Sequence, residues 1–202
     1  MMFNYLKQKN NKKSGFTLVE TLIAIAIFSL SIIALMSVLA TGITDTSYAK
    51  NKVIASYLAE EGIEYIKNMR DTYVTYSATP AQGWTNFKLK IFQQPHCQGV
   101  SGIGCSFIDT LNAYDLPSLQ SSMSFLSCGS GNACSLYYYS SSGKYSYSYL
   151  VSGVDSGFTR KIMATESTNN PFELKITSIV SWSKNSISYN VTFSDNLLRW
   201  KE

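Results

Sequence analysis

Glu20 is the residue that most invites chemistry, because its carboxylate stands in an otherwise uncharged stretch. Ahead of it run Gly15-Phe16-Thr17-Leu18-Val19, and behind it residues 21–44 carry no charge over 24 positions. An acid within an apolar helix costs about 2.5–3.5 kcal/mol at mid-bilayer and less near the interface. In a water-poor setting such a group needs a cation, and the pairing then specifies register.

Other reactive types are sparse. Cys97, Cys105, Cys128 and Cys134 are the four cysteines. Their spacing suggests the bridges Cys97–Cys105 and Cys128–Cys134, although four cysteines allow three pairings. No C-x-x-C occurs and His96 is the single histidine, so neither a zinc site nor a Ser-His-Asp machine is expected. Asp109, Asp115 and Asp155 are too scattered for a calcium loop, and Gly143-Lys144 is followed by Tyr145 rather than Ser or Thr. No metal, cofactor or enzymatic activity is therefore expected. Tyr137, Tyr138, Tyr139, Tyr145, Tyr147 and Tyr149 could stack on sugars or bases, or could simply pair across a hairpin. With Lys144 the one basic residue among them, nucleic-acid binding lacks its electrostatic term, and no nucleic-acid partner is expected.

The elements that position Glu20 follow from the charge pattern. The net charge of +4 comes from Lys7, Lys9, Lys12 and Lys13; the remaining 13 Lys/Arg balance 13 Asp/Glu. A helix over residues 21–44 would span roughly 36 Å, against a hydrocarbon core of about 30 Å. The preceding lysines predict a cytoplasmic N-terminus and an exported C-terminus. The apolar run is too long for an ordinary cleaved signal. Hydrophobic residues at 45% and charged residues at 15% exclude a disordered chain, and 202 residues suit one medium domain with an appendage.

Lys12-Lys13-Ser14-Gly15-Phe16-Thr17-Leu18-Val19-Glu20 closely resembles the leader of type IV pilins and type II secretion pseudopilins. The resemblance implies cleavage between Gly15 and Phe16 by a membrane-embedded prepilin peptidase, which then methylates the Phe16 amine. It also implies that Glu20 pairs with the Phe16 amine of a neighbouring subunit. The implied partners are other pilin or pseudopilin subunits, the prepilin peptidase/methyltransferase and an inner-membrane assembly platform. The implied location is the inner membrane, single-pass with an exported head, and then a pilus or pseudopilus. The expected divisions are a cleaved leader at 1–15, a transmembrane and assembly helix at 16–44, and a globular head at 45–202. A membrane-anchored binding module that never assembles is the competing reading. An exported hydrolase on a signal anchor is a third, and the missing catalytic set argues against it.

The expected fold is α+β: a long N-terminal helix, apolar then amphipathic, packed on an antiparallel pilin-like sheet. No proline precedes Pro80, so the helix can run from about Phe16 to about Asp71. Ile54, Leu58, Tyr65 and Met69 mark its inward stripe, with Gly42 and Gly62 as weak points. Tyr73-Val74-Thr75-Tyr76 is β-prone, Pro80 and Gly83 mark turns, and residues 87–92 read as a short strand or a helical turn. Residues 93–135 read as a Ser/Gly-rich loop region. Beyond it, a tyrosine hairpin and strands over 158–164, 174–182 and 187–193 are expected, closed by Leu197-Leu198-Arg199-Trp200. This order resembles the minor pilin branch.

Overall fold

The structure, a computed structural model, describes residues 15–93, 97–99, 102–107, 125–129, 134–139, 146–148, 153–184 and 186–199. It contains two compact units, Met1–Tyr48 and Ala49–Glu202. Helix α1 (Leu18–Thr75) begins in the first and ends in the second. Then come α2 (Pro80–Phe92), β1 (Cys105–Phe107), β2 (Phe125–Ser127), β3 (Ser135–Tyr139), β4 (Ser146–Ser148), β5 (Val154–Glu166), β6 (Glu173–Lys184) and β7 (Ile187–Leu198). The class is α+β, a long N-terminal helix followed by an antiparallel sheet, consistent with a pilin-like fold.

In the second unit, α1 buries Ala55, Leu58, Ala59, Gly62, Ile63, Ile66, Met69 and Tyr73. The anticipated stripe is right at Leu58 and Met69, whereas Ile54 and Tyr65 flank it half-buried. The helix also passes Asp71. Tyr73, Val74 and Thr75 favour strands by type, but Tyr73 continues the spacing of Ile66 and Met69 into the core. Tertiary burial outweighs a propensity difference of at most about 1 kcal/mol.

Residues 87–92 are helical, not a strand. The signature lies just upstream: Thr79 caps α2 by accepting the Gln82 N–H at 3.2 Å, and Pro80 occupies the first turn. Trp84, Phe87 and Ile91 then fall at helical spacing and are all buried. Alternating lysines in Phe87-Lys88-Leu89-Lys90 imitate a strand, but Leu89 is exposed. Pro80 and Gly83 therefore lie in a helix, and Lys88 ties it to β5 through Glu166 at 2.8 Å.

The sheet is built on the three long strands. β6 pairs with β7 on one side and with β5 on the other, both antiparallel. The far edge of β5 is shared: β3 pairs along Val154–Thr159 and β1 at Ile162, with β4 outside β3 and β2 outside β1. The stretch anticipated as loop thus contributes β1 and β2, each of three residues. Leu197 and Leu198 extend the return strand β7 rather than forming a separate element.

Two apolar clusters fill the space between helix and sheet. Ala55, Leu58 and Ala59 meet Leu136, Phe158, Val180 and Trp182. Further along α1, Ile63, Ile66 and Met69 meet α2 together with Ile162, Leu174, Ile176 and Leu197. Gly62 lies between these groups and is a contact, not a weak point. A Cβ there would stand 2.5 Å from Ser178 Oγ and 3.3 Å from Arg160 Cδ.

Candidate functional site

Gly15, Phe16 and Glu20 all lie in the first unit, at the start of α1. Thr17 caps the helix. Its hydroxyl accepts the Glu20 N–H at 3.3 Å, and its carbonyl accepts the Thr21 N–H at 3.2 Å. Thr17-Leu18-Val19-Glu20 therefore has the order of a capping box, with Glu20 at the third helical position. The sequence contained this signal, but Thr17 was not singled out from it. The cap fixes Glu20 in the first turn, at the positive end of the helix dipole, where a carboxylate is favoured by about 0.3–1 kcal/mol. Phe16 stands just outside the cap, 79% exposed, and nothing lies within 4 Å of where a Gly15 Cβ would be.

Beyond Glu20 the helix is long and apolar enough to cross a membrane, and its apolar window has no buried share. Its hydroxyls turn inward on the backbone. Ser29, Ser31, Thr41 and Thr44 donate to the carbonyls of Ile25, Ile27, Ser37 and Thr41 at 2.7–3.1 Å. Side chains so satisfied can enter lipid without unpaired donors. Glu20 remains the one ionisable side chain within residues 16–44.

The second unit contains the other candidates. Cys97 is joined to Cys105 and Cys128 to Cys134. Both bridges serve the shared edge of β5. The Cys97 carbonyl accepts the Ala164 N–H at 2.7 Å, and Cys105 is registered with Ile162. Cys128 follows β2 and Cys134 precedes β3, so the second bridge links the two arms of that edge. Loops this short give about 2.5 kcal/mol per bridge on the loop-entropy account. Among the described residues no cluster of His, Cys, Asp or Glu could hold a metal. His96, Asp109, Asp115, Tyr145 and Tyr149 lie outside the described residues, while Asp155 opens β5 and accepts the Gly157 N–H. The tyrosine hairpin exists as β3 and β4, with Tyr138 registered against Tyr147.

Arg160 is the residue that sequence reasoning passed over. It is 1% exposed on the inward face of β5, between Phe158 and Ile162. Its guanidinium is paired with Glu61 of α1, donates to the Leu58 carbonyl at 3.3 Å and sits 4.0 Å over the Phe107 ring. Phe107 in turn stacks on Tyr65 at 3.7 Å. A cation at an inward strand position was the available signal. Nearby, Lys67 bridges Glu64 and Asp195 at 2.9 Å each. The Glu64 and then Asp195 hydrogen bonds raise the Lys67 pKa, and the Lys67 hydrogen bond lowers that of Asp195.

A capped, carboxylate-bearing apolar helix followed by a disulfide-bonded α+β unit is consistent with a pilin-like fold. Residues 10–44 match the prokaryotic N-terminal methylation motif, the signal carried by type IV pilins and pseudopilins. No curated protein and no solved structure matches the chain. The motif points to a structural protein and implies, at a coarse level, interaction with pilin subunits and a prepilin peptidase. Together with the apolar helix it fits membrane anchoring with an extracytoplasmic head.

Proposed function

We propose that the chain is a minor subunit of a type IV pilus or type II secretion pseudopilus. Its leader, residues 1–15, is removed between Gly15 and Phe16, and the Phe16 amine is methylated. Residues 16–44 then hold the subunit in the inner membrane and afterwards pack along the filament axis, with residues 45–202 as the displayed head. The observation that carries this reading is the methylation motif at residues 10–44, with Glu20 in the first turn of the helix it encloses. The chemistry supports it. A freed α-amine, with a pKa near about 7.7–8.0, is largely cationic at neutral pH. Next to the positive end of its own helix that cation is disfavoured, so a neighbour's carboxylate is its natural partner.

The test is Glu20→Ala, read by mass spectrometry of the mature N-terminus and by recovery of the subunit in sheared filaments. The expected result is a processed, methylated Phe16 terminus in both proteins and loss of the variant from filaments. Equal incorporation of the variant would refute the role of Glu20. An unprocessed Met1 or Met2 terminus would refute the precursor reading and favour an anchored binding module.

A further inference from the structure

β7 ends the sheet on one side. It pairs with β6 through twelve consecutive residues without a shift of register, and among the described residues no strand pairs with its other edge. Such an edge presents a row of backbone N–H and C=O groups to any chain that can pair with them, and folded proteins blunt it with short strands, bulges, proline or lysine. The opposite margin of the sheet follows that rule, since its outermost strands, β2 and β4, have three residues each. β7 does not. Residues 187–198 contain no proline, glycine, lysine or arginine. Their one charge, Asp195, is already bridged to Lys67 at 2.9 Å.

The side chains set what this edge accepts. Tyr189, Val191 and Phe193 are registered with Trp182, Val180 and Ser178, which are buried on the face that α1 covers. Opposed residues share a face, so 189, 191 and 193 continue the core strip beyond β6. The cover thins there: Tyr189 and Val191 are half-buried, Phe193 is 39% exposed and Ile187 56%. The other face of β7, with Ser188, Asn190, Thr192, Ser194 and Asn196, is exposed and uncharged. A strand that completes the edge must therefore bring apolar side chains to one face and small polar ones to the other, and β7 itself has that pattern. We infer that β7 pairs antiparallel with the β7 of a second copy of this chain, about a two-fold axis perpendicular to the sheet. That axis keeps the two α1-covered faces on the same side, so apolar strip meets apolar strip. Face matching then places one residue opposite its own counterpart. With that centre anywhere from 190 to 194, the two Asp195 carboxylates do not face each other. The strand ends are mixed in charge, because Lys184, registered with Ile187, approaches the end of the other copy that holds Glu173 and Arg199. The pairing consumes both β7 edges and closes at two copies.

The experiment uses the full chain in detergent. All four cysteines are bridged, so one introduced cysteine is the only free thiol. The single variants Asn190→Cys, Val191→Cys, Thr192→Cys, Phe193→Cys and Ser194→Cys are oxidised mildly, with Glu60→Cys on the exposed face of α1 for comparison. Residues directly opposed across an antiparallel pair have Cα atoms about 4.5–5.5 Å apart, within reach of a disulfide. One of the five positions is expected to give about fivefold or more disulfide-linked dimer than either of its neighbours, whose side chains leave by the other face. Each variant keeps every backbone hydrogen bond of β7 and is scored on protein whose thermal melt matches that of the unaltered chain. Linked dimer at none of the five overturns the pairing of copies and leaves the edge to a strand of another protein. Equal yield at all five, or as much at Glu60→Cys, overturns it as well, because random collision or contact through α1 would give that result.

Discussion

Gly83 offers a substitution for which two physical arguments predict opposite signs. It lies within α2, where replacing glycine by alanine should stabilise by about 1 kcal/mol through helix propensity alone. The packing says otherwise. A Cβ on Gly83 would stand 2.6 Å from both the Tyr73 carbonyl oxygen and the Val74 Cα, and 3.0 Å from the Tyr73 carbonyl carbon. These are backbone atoms at the end of α1, so no rotamer change relieves the contact. α2 must withdraw by roughly 0.5–1 Å, and a gap of that size forfeits a quarter to a half of the dispersion well of the atoms it parts. Trp84, Phe87 and Ile91 anchor α2 and are each at most 3% exposed. Burial of three such side chains is worth about 6 kcal/mol, so losing a quarter costs about 1.5 kcal/mol. Overpacking strain adds about 1–3 kcal/mol. After the propensity gain, Gly83→Ala should destabilise the head by about 2 kcal/mol. For a chain of this size that is a fall of about 4–8 °C in Tm. Tryptophan fluorescence reads the head alone, because Trp84, Trp182 and Trp200 all lie beyond Ala49. A Gly83→Ala protein in detergent that melts at or above the unaltered chain would refute the close-packing argument.

Two further predictions concern charges. Glu61→Ala removes the carboxylate from Arg160, which is 1% exposed, while Glu61 itself is half-exposed. The cost should lie below the 3–5 kcal/mol of a fully buried pair, at about 2–3 kcal/mol, and Glu61→Gln should recover part of it. Urea denaturation of both variants checks this, and an unchanged midpoint for Glu61→Ala would contradict it. For Lys67 and Asp195 the signs define a window. The lowered Asp195 pKa gives stability that is present above the usual 3.8 and lost as pH falls through the folded value. The raised Lys67 pKa gives stability that is present below the usual 10.5 and lost as pH rises through the folded value. Both groups are partly solvated, so Asp195→Asn should cost under about 1 kcal/mol at pH 7. That difference should vanish in strong acid, and its persistence there would exclude the linkage.

What was legible in the sequence was local. The start of α1 falls where the sequence reading put it, because the Thr17 cap and the Glu20 it holds are only three residues apart. β5 to β7 alternate at period two because one face of the sheet is covered by α1 and the other is not. What was missed depends on distant partners. Arg160 and Glu61 are 99 positions apart, and only their meeting explains a cation on an inward strand position. Three-residue strands such as β1 and β2 have no period to detect, and they exist because β5 has a free edge and two disulfides to hold them. Gly62 and Gly83 read as a weak point and a turn, because a glycine that admits another backbone looks, in sequence, like any other glycine. The lysines in α2 mask a helical period that Trp84, Phe87 and Ile91 carry.

The two units solve different solvent problems, and Glu20 is where those solutions diverge. The second unit buries its apolar face against its own sheet. The first leaves side chains such as Leu22, Ile25 and Leu35 about 60% exposed, so lipid or neighbouring helices must cover them. For these aliphatics the two environments are nearly equivalent, since lipid tails are as apolar as leucine. The serine and threonine hydroxyls are equally indifferent, because the backbone of their own helix satisfies them. The proposed transfer from membrane to filament would therefore gain little from either set. Glu20 differs: near lipid its carboxylate has only the helix dipole and the interface, whereas the proposed filament supplies a cationic amine. On that reading one carboxylate supplies much of the preference for assembly. Restoring the charge with Glu20→Asp should recover more filament incorporation than the neutral Glu20→Gln, despite the shorter side chain.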